Sequence, residues 1–351
     1  MFEIVINKKK INKNSPVYII AEAGVNHNGS LIKAKKLIDI AVKAKADAIK
    51  FQTFKTENII IPKGPKAKYH IETTGSDKSL SWFKLLKSQE ISIKMHKELI
   101  KYCKKKKITF LSTAYDQESA TLLNSLKIDA FKIASTDNDN YPFILFLKKF
   151  NKPIILSTAM STFEDVKLAY KLLRKSNFKK LSIMQCTGNY PTMIHNANLN
   201  VIDKYKKEFK CPIGFSDHTE GTVAGICAVA KGVKIIEKHF TISKKLKGPD
   251  HRMSLEPEEL INYIKSIRFA EKSLGMFEKK IIPSEIENKK KLKKSLVSRK
   301  FIKKGQKISK NLIDIKRPGN GIRPIEMKKI LGKSVNCDIK KNVTLKFDMF
   351  E

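Results

Sequence analysis

Short apolar runs alternate with longer amphipathic segments through most of this chain. Runs such as 17–22, 48–52 and 108–113 are rich in Ile, Val, Phe and other residues that favour strands. In the segments between such runs, apolar residues recur at the spacing of one helix face, and most segments are long enough to cross back over a sheet. This alternation predicts parallel strands joined by helices.

The alternation repeats often enough to close a barrel. The predicted strands are 17–22, 48–52, 108–113, 129–135, 153–158, 181–187, 214–218 and 234–239. Eight strand–helix units are typical of a (β/α)8 TIM barrel, so the predicted fold class is α/β. One further short strand is predicted at 2–6, ahead of the barrel.

Two segments depart from this rhythm. The stretch 56–88 contains Pro62, Gly64 and Gly75 and is predicted to be a long excursion over one end of the barrel, of the kind that often forms a lid or a binding loop. Beyond the barrel domain, predicted at 1–280, a charged linker is expected at 281–294. Short β-rich pieces then predict a small second domain at 295–351.

Nearly every predicted barrel strand ends in polar side chains. The active site of a TIM barrel lies at the carboxyl ends of its strands, and a barrel packed for stability alone would not collect lysines, hydroxyls and histidines there. The pattern therefore predicts an anion site beside a metal site. Its residues are Glu22, Lys50, Gln52, Thr113, Lys132, Ser135, Ser157, Thr158, Thr187, Ser216, His218, Glu237 and His239.

The last two predicted strands carry the sharpest signal. Side chains alternate along a strand, so Ser216 and His218 share one face, and Glu237 and His239 share one face of the next strand. A single histidine is more often a satisfied core or surface residue. Two histidines at matched strand ends, with a carboxylate alongside, favour a metal or acid/base site.

Composition narrows the function further. The net charge of +37 would suit nucleic acid, but lysine far outnumbers arginine and travels with Ile and Asn, as a bias toward A and T in the codons would produce. We therefore expect no nucleic-acid partner, although the charge can help to attract an anionic small substrate. The five cysteines show no metal-binding or disulfide spacing. No apolar run could span a membrane and no signal peptide is recognised, so a cytoplasmic protein without a membrane partner is expected.

Motifs along almost the whole chain resemble the bacterial sialic acid synthases. They are Ile20-Ala-Glu-Ala-Gly-Val-Asn-His27, Lys50-Phe-Gln52, Phe131-Lys-Ile-Ala-Ser135, Leu156-Ser-Thr-Ala-Met160, Tyr190-Pro191, Gly214-Phe-Ser-Asp-His218, Ile236-Glu-Lys-His-Phe240 and Gly248-Pro-Asp-His251. The tail, with Lys316-Arg-Pro-Gly-Asn-Gly321, is similar to the antifreeze-like (SAF) domain of those enzymes.

The resemblance implies roles for particular residues. The metal ligands would be His218 and His239, holding Mn²⁺, Mg²⁺ or Co²⁺. The residues matching the phosphoenolpyruvate site are Lys50, Thr113, Lys132, Ser135, Ser157 and Ser216, and those near the amino sugar are Glu22, Tyr190, Glu237 and Asp250. Arg317 matches an arginine that reaches the sugar from the neighbouring subunit, which implies a domain-swapped homodimer.

The implied reaction condenses phosphoenolpyruvate with an N-acylated hexosamine. Its methylene carbon attacks the sugar aldehyde, water adds at the second carbon, and phosphate leaves by C–O cleavage. A bound divalent metal would polarise the aldehyde oxygen. Either Glu237 or Glu22 would handle protons, and the sequence does not choose between them.

The acceptor sugar is left open by the sequence. Gly188 stands where many sialic acid synthases have Asn, and only Ser76 or Asp77 could replace a sugar-binding Asn in the excursion. Both N-acetylmannosamine and 2,4-diacetamido-2,4,6-trideoxymannose therefore remain candidate acceptors. The segment 248–254 is similar to synthases of the sialic or legionaminic type, which argues against a pseudaminic synthase. One alternative is a barrel synthase or aldolase that acts on a sugar phosphate, but no second cationic cluster is seen that could bind the phosphate of such an acceptor. The other is a non-catalytic carbohydrate- or nucleic-acid-binding protein.

Overall fold

The chain forms two compact units that divide between Gly275 and Met276. The computed structural model describes residues 2–76, 78 and 80–351. The division lies ahead of the linker predicted at 281–294, and that stretch contains a short helix.

The strands of the first unit are a hairpin followed by a closed barrel. They are β1 (Ile4–Ile6), β2 (Lys9–Ile11), β3 (Tyr18–Gly24), β4 (Ala48–Thr53), β5 (Thr109–Ala114), β6 (Phe131–Ile133), β7 (Ile154–Ser157), β8 (Leu181–Gln185), β9 (Ile213–Asp217) and β10 (Ile235–His239). Strands β3 to β10 pair in chain order, all parallel, and β10 closes the ring on β3. The predicted (β/α)8 barrel is confirmed.

The helices of this unit are amphipathic and lie outside the barrel or in the excursion. They are α1 (Leu31–Lys43), α2 (Thr56–Ile59), α3 (Lys68–Thr74), α4 (Trp82–Gln89), α5 (Ile93–Lys106), α6 (Gln117–Ser125), α7 (Tyr141–Lys148), α8 (Phe163–Arg174), α9 (Asn200–Glu208), α10 (Val223–Ala230) and α11 (Pro257–Leu274). Side-chain caps fix several starts; Ser30, for example, accepts a hydrogen bond from the Lys33 amide. Among the described helices, none has both the length and the apolarity that crossing a bilayer requires.

The excursion is more regular than the sequence indicated. It contains α2, α3 and α4, with the turn residues Pro62 and Gly64 between the first two. Helix α4 is capped by Ser81 and buries Leu85 and Leu86, which explains its stability. The predicted excursion is therefore present, and it contains three short helices that were not predicted there.

Two apolar layers position the barrel. The larger layer fills the space between the strands and the surrounding helices. The smaller lies inside the barrel at its amino end, where Ile4, Ile6 and Ile11 of the β1–β2 hairpin, each at most 1% exposed, pack against Ile20 and Ile235. The hairpin thus closes the amino end and leaves the carboxyl ends of the strands for chemistry.

The second unit is small and has its own core. It contains α12 (Ile286–Leu292), β11 (Ser295–Ser298) and β12 (Ile313–Lys316), and the two strands pair antiparallel. Isolated bridges, such as Val297 with Thr344, join the remaining extended pieces. The core includes Leu296, Ile302, Ile308, Leu312, Ile330 and Leu345. The predicted small β-rich unit is therefore present.

Candidate active site

Two lysines and a glutamate meet at the carboxyl ends of β4, β6 and β10. The Nζ of Lys132 lies 3.0 and 3.3 Å from the two carboxylate oxygens of Glu237. The Nζ of Lys50 lies 3.5 Å from Glu237 Oε2. All three side chains are at most 5% exposed. Because the side chains alternate along each strand, those predicted to face the barrel interior converge.

A second carboxylate completes the charged cluster. Glu22 at the end of β3 lies 3.0 Å from Lys50 Nζ through its Oε2. Lys50 also donates a hydrogen bond to Thr113 Oγ1, at 2.9 Å. Two ammonium groups and two carboxylates therefore share one buried mouth.

The predicted serines lie on the same rim. Ser216 donates to Glu237 Oε1 at 3.0 Å, and its Oγ is 3.2 Å from His218 Nε2. Ser135 follows β6, and its Oγ accepts from the Ala159 amide at 2.9 Å. Ser157 is buried at the end of β7. The lysines and hydroxyls thus supply the donors that a phosphate and a carboxylate need.

Burial and neighbouring charges shift the pKa values of the two glutamates in opposite directions. Burial raises the pKa of Glu22 to about 7, with Lys50 opposing the shift and Glu237 supporting it. Burial acts in the same direction on Glu237, but Lys132 and Lys50 outweigh it and hold the pKa of that carboxyl well below its ordinary value. Glu237 is therefore a permanent anion, whereas Glu22 can exchange a proton near neutral pH.

The two predicted metal ligands are neutral imidazoles. His218 Nδ1 lies 2.6 Å from the Thr187 carbonyl, which only accepts, so Nδ1 carries the proton and the lone pair is on Nε2. The His239 ring lies 5.6 Å away, centroid to centroid, and its buried Nδ1 has no hydrogen-bond partner among the described residues. Burial lowers the pKa of His218 to about 4 and that of His239 well below its ordinary value.

This donor set fits a divalent ion held by two ring nitrogens. Neutral imidazole with one nitrogen fixed by a backbone carbonyl is the usual state of a metal-binding histidine. Within the part of the chain that the structure describes, no group of three or more His, Cys, Asp or Glu side chains is arranged to hold a metal. Substrate and water would have to fill the remaining positions.

An aromatic wall borders the histidines. Tyr190 lies against His218 with ring centroids 4.2 Å apart and the planes tilted by 32°, and it meets His239 edge-on at 5.7 Å. Tyr69 of α3 lies 5.3 Å from Tyr190, and the contacts continue through His70 to Trp82, whose rings are 4.0 Å apart. The excursion therefore contacts the mouth through Tyr69, which the sequence analysis missed because no strand register places it there.

Asp250 lies near Glu22 at the mouth. A Cβ at Gly24, whose φ is +51°, would lie 3.2 Å from Asp250 Oδ2 and 3.5 Å from Glu22 Oε1, so both carboxylates flank this glycine. Burial raises the pKa of Asp250 to about 6. Its charge reaches Tyr69 and Tyr115, a second residue that sequence reasoning missed.

Three other described residues that the sequence singled out lie in loops or in the second unit. Arg317 is exposed and follows β12 in the second unit. Gly188 lies against Met160, whose Cγ would be 3.0 Å from an added Cβ. Ser76 follows α3, and Asp77 lies outside the described residues.

Comparison with known proteins agrees with this geometry. The NeuB family matches residues 37–279, and the SAF domain matches residues 293–351. The N,N'-diacetyllegionaminic acid synthase of Campylobacter jejuni is 43% identical over 92% of this chain and 97% of its own length. The synthase of the same name from Legionella pneumophila is 36% identical over 98% of this chain and 99% of its own.

A solved structure gives the same picture. The N-acetylneuraminic acid synthetase of Leptospira borgpetersenii matches with a TM-score of 0.71 and 33% identity, over 82% of this chain and 94% of that one. The family match spans most of the barrel, and the two relatives align over nearly their full lengths. This chain is therefore a member of the NeuB family, that of the bacterial sialic acid synthases, and carries an SAF domain.

Proposed function

We propose that this protein condenses phosphoenolpyruvate with an open-chain N-acylated hexosamine, giving a nine-carbon nonulosonic acid and phosphate. One observation carries the proposal: two buried lysines and a set of hydroxyls lie at the same barrel mouth as two neutral imidazoles. An anionic donor and an aldehyde acceptor could meet there. The family relatives that make legionaminic and N-acetylneuraminic acids support the same reaction.

Lys50 and Lys132 would bind the phosphate and the carboxylate of the donor. Both ammonium groups are already held in place by Glu22 and Glu237, so they need little reordering when the anion arrives. Thr113 and Ser216 add directed hydroxyl donors. Ser135 and Ser157 extend this donor set along the rim.

The bond changes follow from this arrangement. The electron pair of the phosphoenolpyruvate double bond forms the new C–C bond to the aldehyde carbon, and the aldehyde oxygen takes a proton. Positive charge develops at the donor's second carbon, where the permanent anion of Glu237 stabilises it. Water adds at that carbon and loses one proton. The remaining hydroxyl then becomes the keto C=O group and gives up its proton as the C–O bond to phosphate breaks and phosphate leaves.

Glu22 is the better candidate for moving protons. A group transfers protons most effectively when its pKa lies near the working pH, and that of Glu22 is about 7. Glu237 is held as an anion by two lysines, so it is a poor acid. The geometry thus favours Glu22 for proton transfer and Glu237 for charge stabilisation.

We propose that His218 and His239 hold a divalent metal, with Mn²⁺, Mg²⁺ and Co²⁺ as candidates. When bound, such an ion supplies polarisation of the aldehyde oxygen. The Thr187 carbonyl fixes the tautomer of His218, and Tyr190 restrains the orientation of both rings. These contacts hold the two imidazoles in fixed orientations, with their ring centroids 5.6 Å apart.

The acceptor is N-acetylmannosamine or 2,4-diacetamido-2,4,6-trideoxymannose. The legionaminic acid synthases of C. jejuni and L. pneumophila support the second sugar. So does the aromatic wall of Tyr69 and Tyr190, which suits a sugar with fewer hydroxyls better than one with more. A hundredfold or greater preference in kcat/KM for N-acetylmannosamine would exclude the legionaminic assignment.

The function is tested by measuring phosphate release and product mass with phosphoenolpyruvate and each acceptor. We expect release only with both substrates present, its loss in excess chelator, and its return with Mn²⁺. His218→Ala and His239→Ala should nearly abolish turnover, whereas His195→Ala, at an exposed histidine, should not. Full turnover in chelator would remove the metal assignment. If neither sugar supports phosphate release and the protein shifts nucleic acid in a gel at physiological salt, nucleic-acid binding would be favoured instead.

The active assembly is proposed to be a cytoplasmic, domain-swapped homodimer. In it, Arg317 of the partner subunit would reach the acceptor sugar, as the family resemblance implies. Mixing inactive His218→Ala chains with inactive Arg317→Ala chains should then restore part of the activity, because some sites would combine an intact barrel with an intact arginine. An active protein that is strictly monomeric by light scattering would contradict this proposal.

A further inference from the structure

A second buried charge pair lies behind the two histidines, on the outer face of the barrel. Asp217 precedes His218 at the end of β9, and Lys238 precedes His239 in β10. The two residues are direct cross-strand partners, and their side chains are 1% and 2% exposed. Lys238 Nζ lies 3.1 Å from Asp217 Oδ2. Because side chains alternate, the pair points away from the mouth while the imidazoles point into it.

The pair belongs to a network in which each carboxylate oxygen has a partner. Asp217 Oδ1 accepts from the amide and the hydroxyl of Thr219, at 2.9 and 2.7 Å. Asp217 Oδ2 accepts from the Tyr263 hydroxyl of α11 at 2.8 Å. Lys238 donates to the Thr219 carbonyl. Since Asp217 and Thr219 flank His218 in the chain, the network fixes the backbone on both sides of that histidine and ties it to β10.

Helix α10 has a glycine where the same network approaches it. A Cβ at Gly225 would lie only 2.4 Å from the Tyr263 hydroxyl oxygen. A glycine inside a helix costs stability relative to alanine. Gly225 is therefore explained by the space that the phenol needs in order to reach Asp217.

Stability alone does not account for charge at this place. One cross-strand step earlier on the same face, Phe215 faces Ile236, and both belong to the apolar layer between strands and helices. A buried ion pair adds little net stability over apolar residues of similar volume, but it holds its partners in one geometry. The charges appear at the step that adjoins the two imidazoles.

We propose that Asp217 and Lys238, anchored by Tyr263, are positioning residues that set the relative placement of His218 and His239 for metal binding. The inference rests on the metal assignment proposed above. Residues that orient metal ligands typically change metal affinity about 10- to 100-fold when they are replaced. We expect a loss of that size on removing the Lys238 charge.

Arg268→Met offers a matched control on the same helix. Arg268 of α11 binds the opposite end of the barrel, donating to the Val17 carbonyl at 2.7 Å and pairing with Asp47 at 3.0 Å. Breaking that contact should lower the unfolding temperature without altering the mouth. It separates loss of stability from loss of ligand placement.

The test measures Mn²⁺ affinity of the metal-stripped protein by electron paramagnetic resonance, together with thermal unfolding. Lys238→Met should weaken Mn²⁺ binding about 10- to 100-fold, Lys238→Arg should restore most of it, and Arg268→Met should keep wild-type affinity. Tyr263→Phe removes one hydroxyl and serves if Lys238→Met does not fold; it should also weaken binding. Wild-type Mn²⁺ affinity in Lys238→Met would overturn the inference, as would wild-type affinity in Tyr263→Phe if that variant has to replace it. An equal loss of Mn²⁺ affinity in Arg268→Met would also overturn it. No binding by the wild-type protein would overturn the metal assignment and the inference with it.

Discussion

Lys132 and Glu237 form a two-pronged contact inside the barrel mouth, with Nζ 3.0 and 3.3 Å from the two carboxylate oxygens. Both side chains are at most 5% exposed. Burial lowers the pKa of Lys132, and the Glu237 charge opposes that shift. Each residue therefore depends on the other for its charge, and under the proposed function Lys132 would also meet the anionic donor.

Lys132→Met should damage both stability and donor binding. Among the described residues, it leaves the buried Glu237 carboxylate with Lys50, at 3.5 Å, as the remaining cationic partner, so we expect a loss of about 3 kcal/mol in the free energy of unfolding. The KM for phosphoenolpyruvate should rise strongly. Adding Glu237→Gln should recover stability, because the uncompensated charge is gone, but not activity. Urea unfolding and steady-state kinetics measure both effects, and an unchanged KM would exclude Lys132 from the donor site.

Glu22 should make the protein less stable as the pH rises from about 4.5 to 7. Its pKa is raised from 4.5 to about 7, so over that window the folded protein binds more protons than the unfolded chain, and its stability falls. Once Glu22 is ionised, the accumulated loss is about 3 kcal/mol. Glu22→Gln removes this loss.

The measurement is the difference in unfolding free energy between Glu22→Gln and the wild-type protein, taken in chelator at a series of pH values. Burial lowers the pKa values of His27, His218 and His251 to about 4, so these histidines make the folded protein less stable in acid. Both proteins share this effect, and it therefore cancels in the difference. The difference should grow in favour of the variant up to pH 7 and then level off. A difference that stays constant with pH would show that the pKa of Glu22 is not raised.

Tyr69 should act on the acceptor and not on the donor. Its ring lies against Tyr190, which in turn lies against both histidines. Tyr69 is half-buried, whereas Lys50 and Lys132 are at most 5% exposed. Tyr69→Ala should raise the KM for the sugar about 5- to 10-fold, the amount that one aromatic pair is worth. The KM for phosphoenolpyruvate should be unchanged, and Tyr69→Phe should retain most of the ring contact. Equal increases in both KM values would indicate a general disturbance of the mouth.

The barrel could be predicted because its strands are local patterns. Each is an apolar run, and period-two alternation identifies which polar residues at its end face inward, as Lys50, Glu237 and His239 do. The resemblance then supplied Tyr190 and Asp250, which follow strands in loops. Their contacts with His218 and Gly24 depend on how those loops fold back, which no local pattern encodes.

Long-range contacts account for what was missed. Pro62, Gly64 and Gly75 are correct turn signals, but α4 is held by packing against the barrel and α3 contacts α4 through the rings of His70 and Trp82. Tyr69 therefore had no predictable position. The link between Asp217 and Lys238 depends on the register of β9 against β10. Register follows from barrel closure, which involves strands far apart in the chain.

The β1–β2 hairpin makes the barrel a vessel that is closed at its amino end, where Ile4, Ile6 and Ile11 form the floor. Under the proposed function, reactants and products would therefore all pass through the doorway at the carboxyl end. The donor lysines and Ser216 are at most 5% exposed, whereas Tyr69, Tyr190 and Asp250 are only half-buried nearer the rim. A sugar bound at the rim would block access to the donor lysines. Phosphoenolpyruvate should accordingly enter first, and initial-rate kinetics should show a compulsory order in which excess sugar inhibits by trapping the empty vessel.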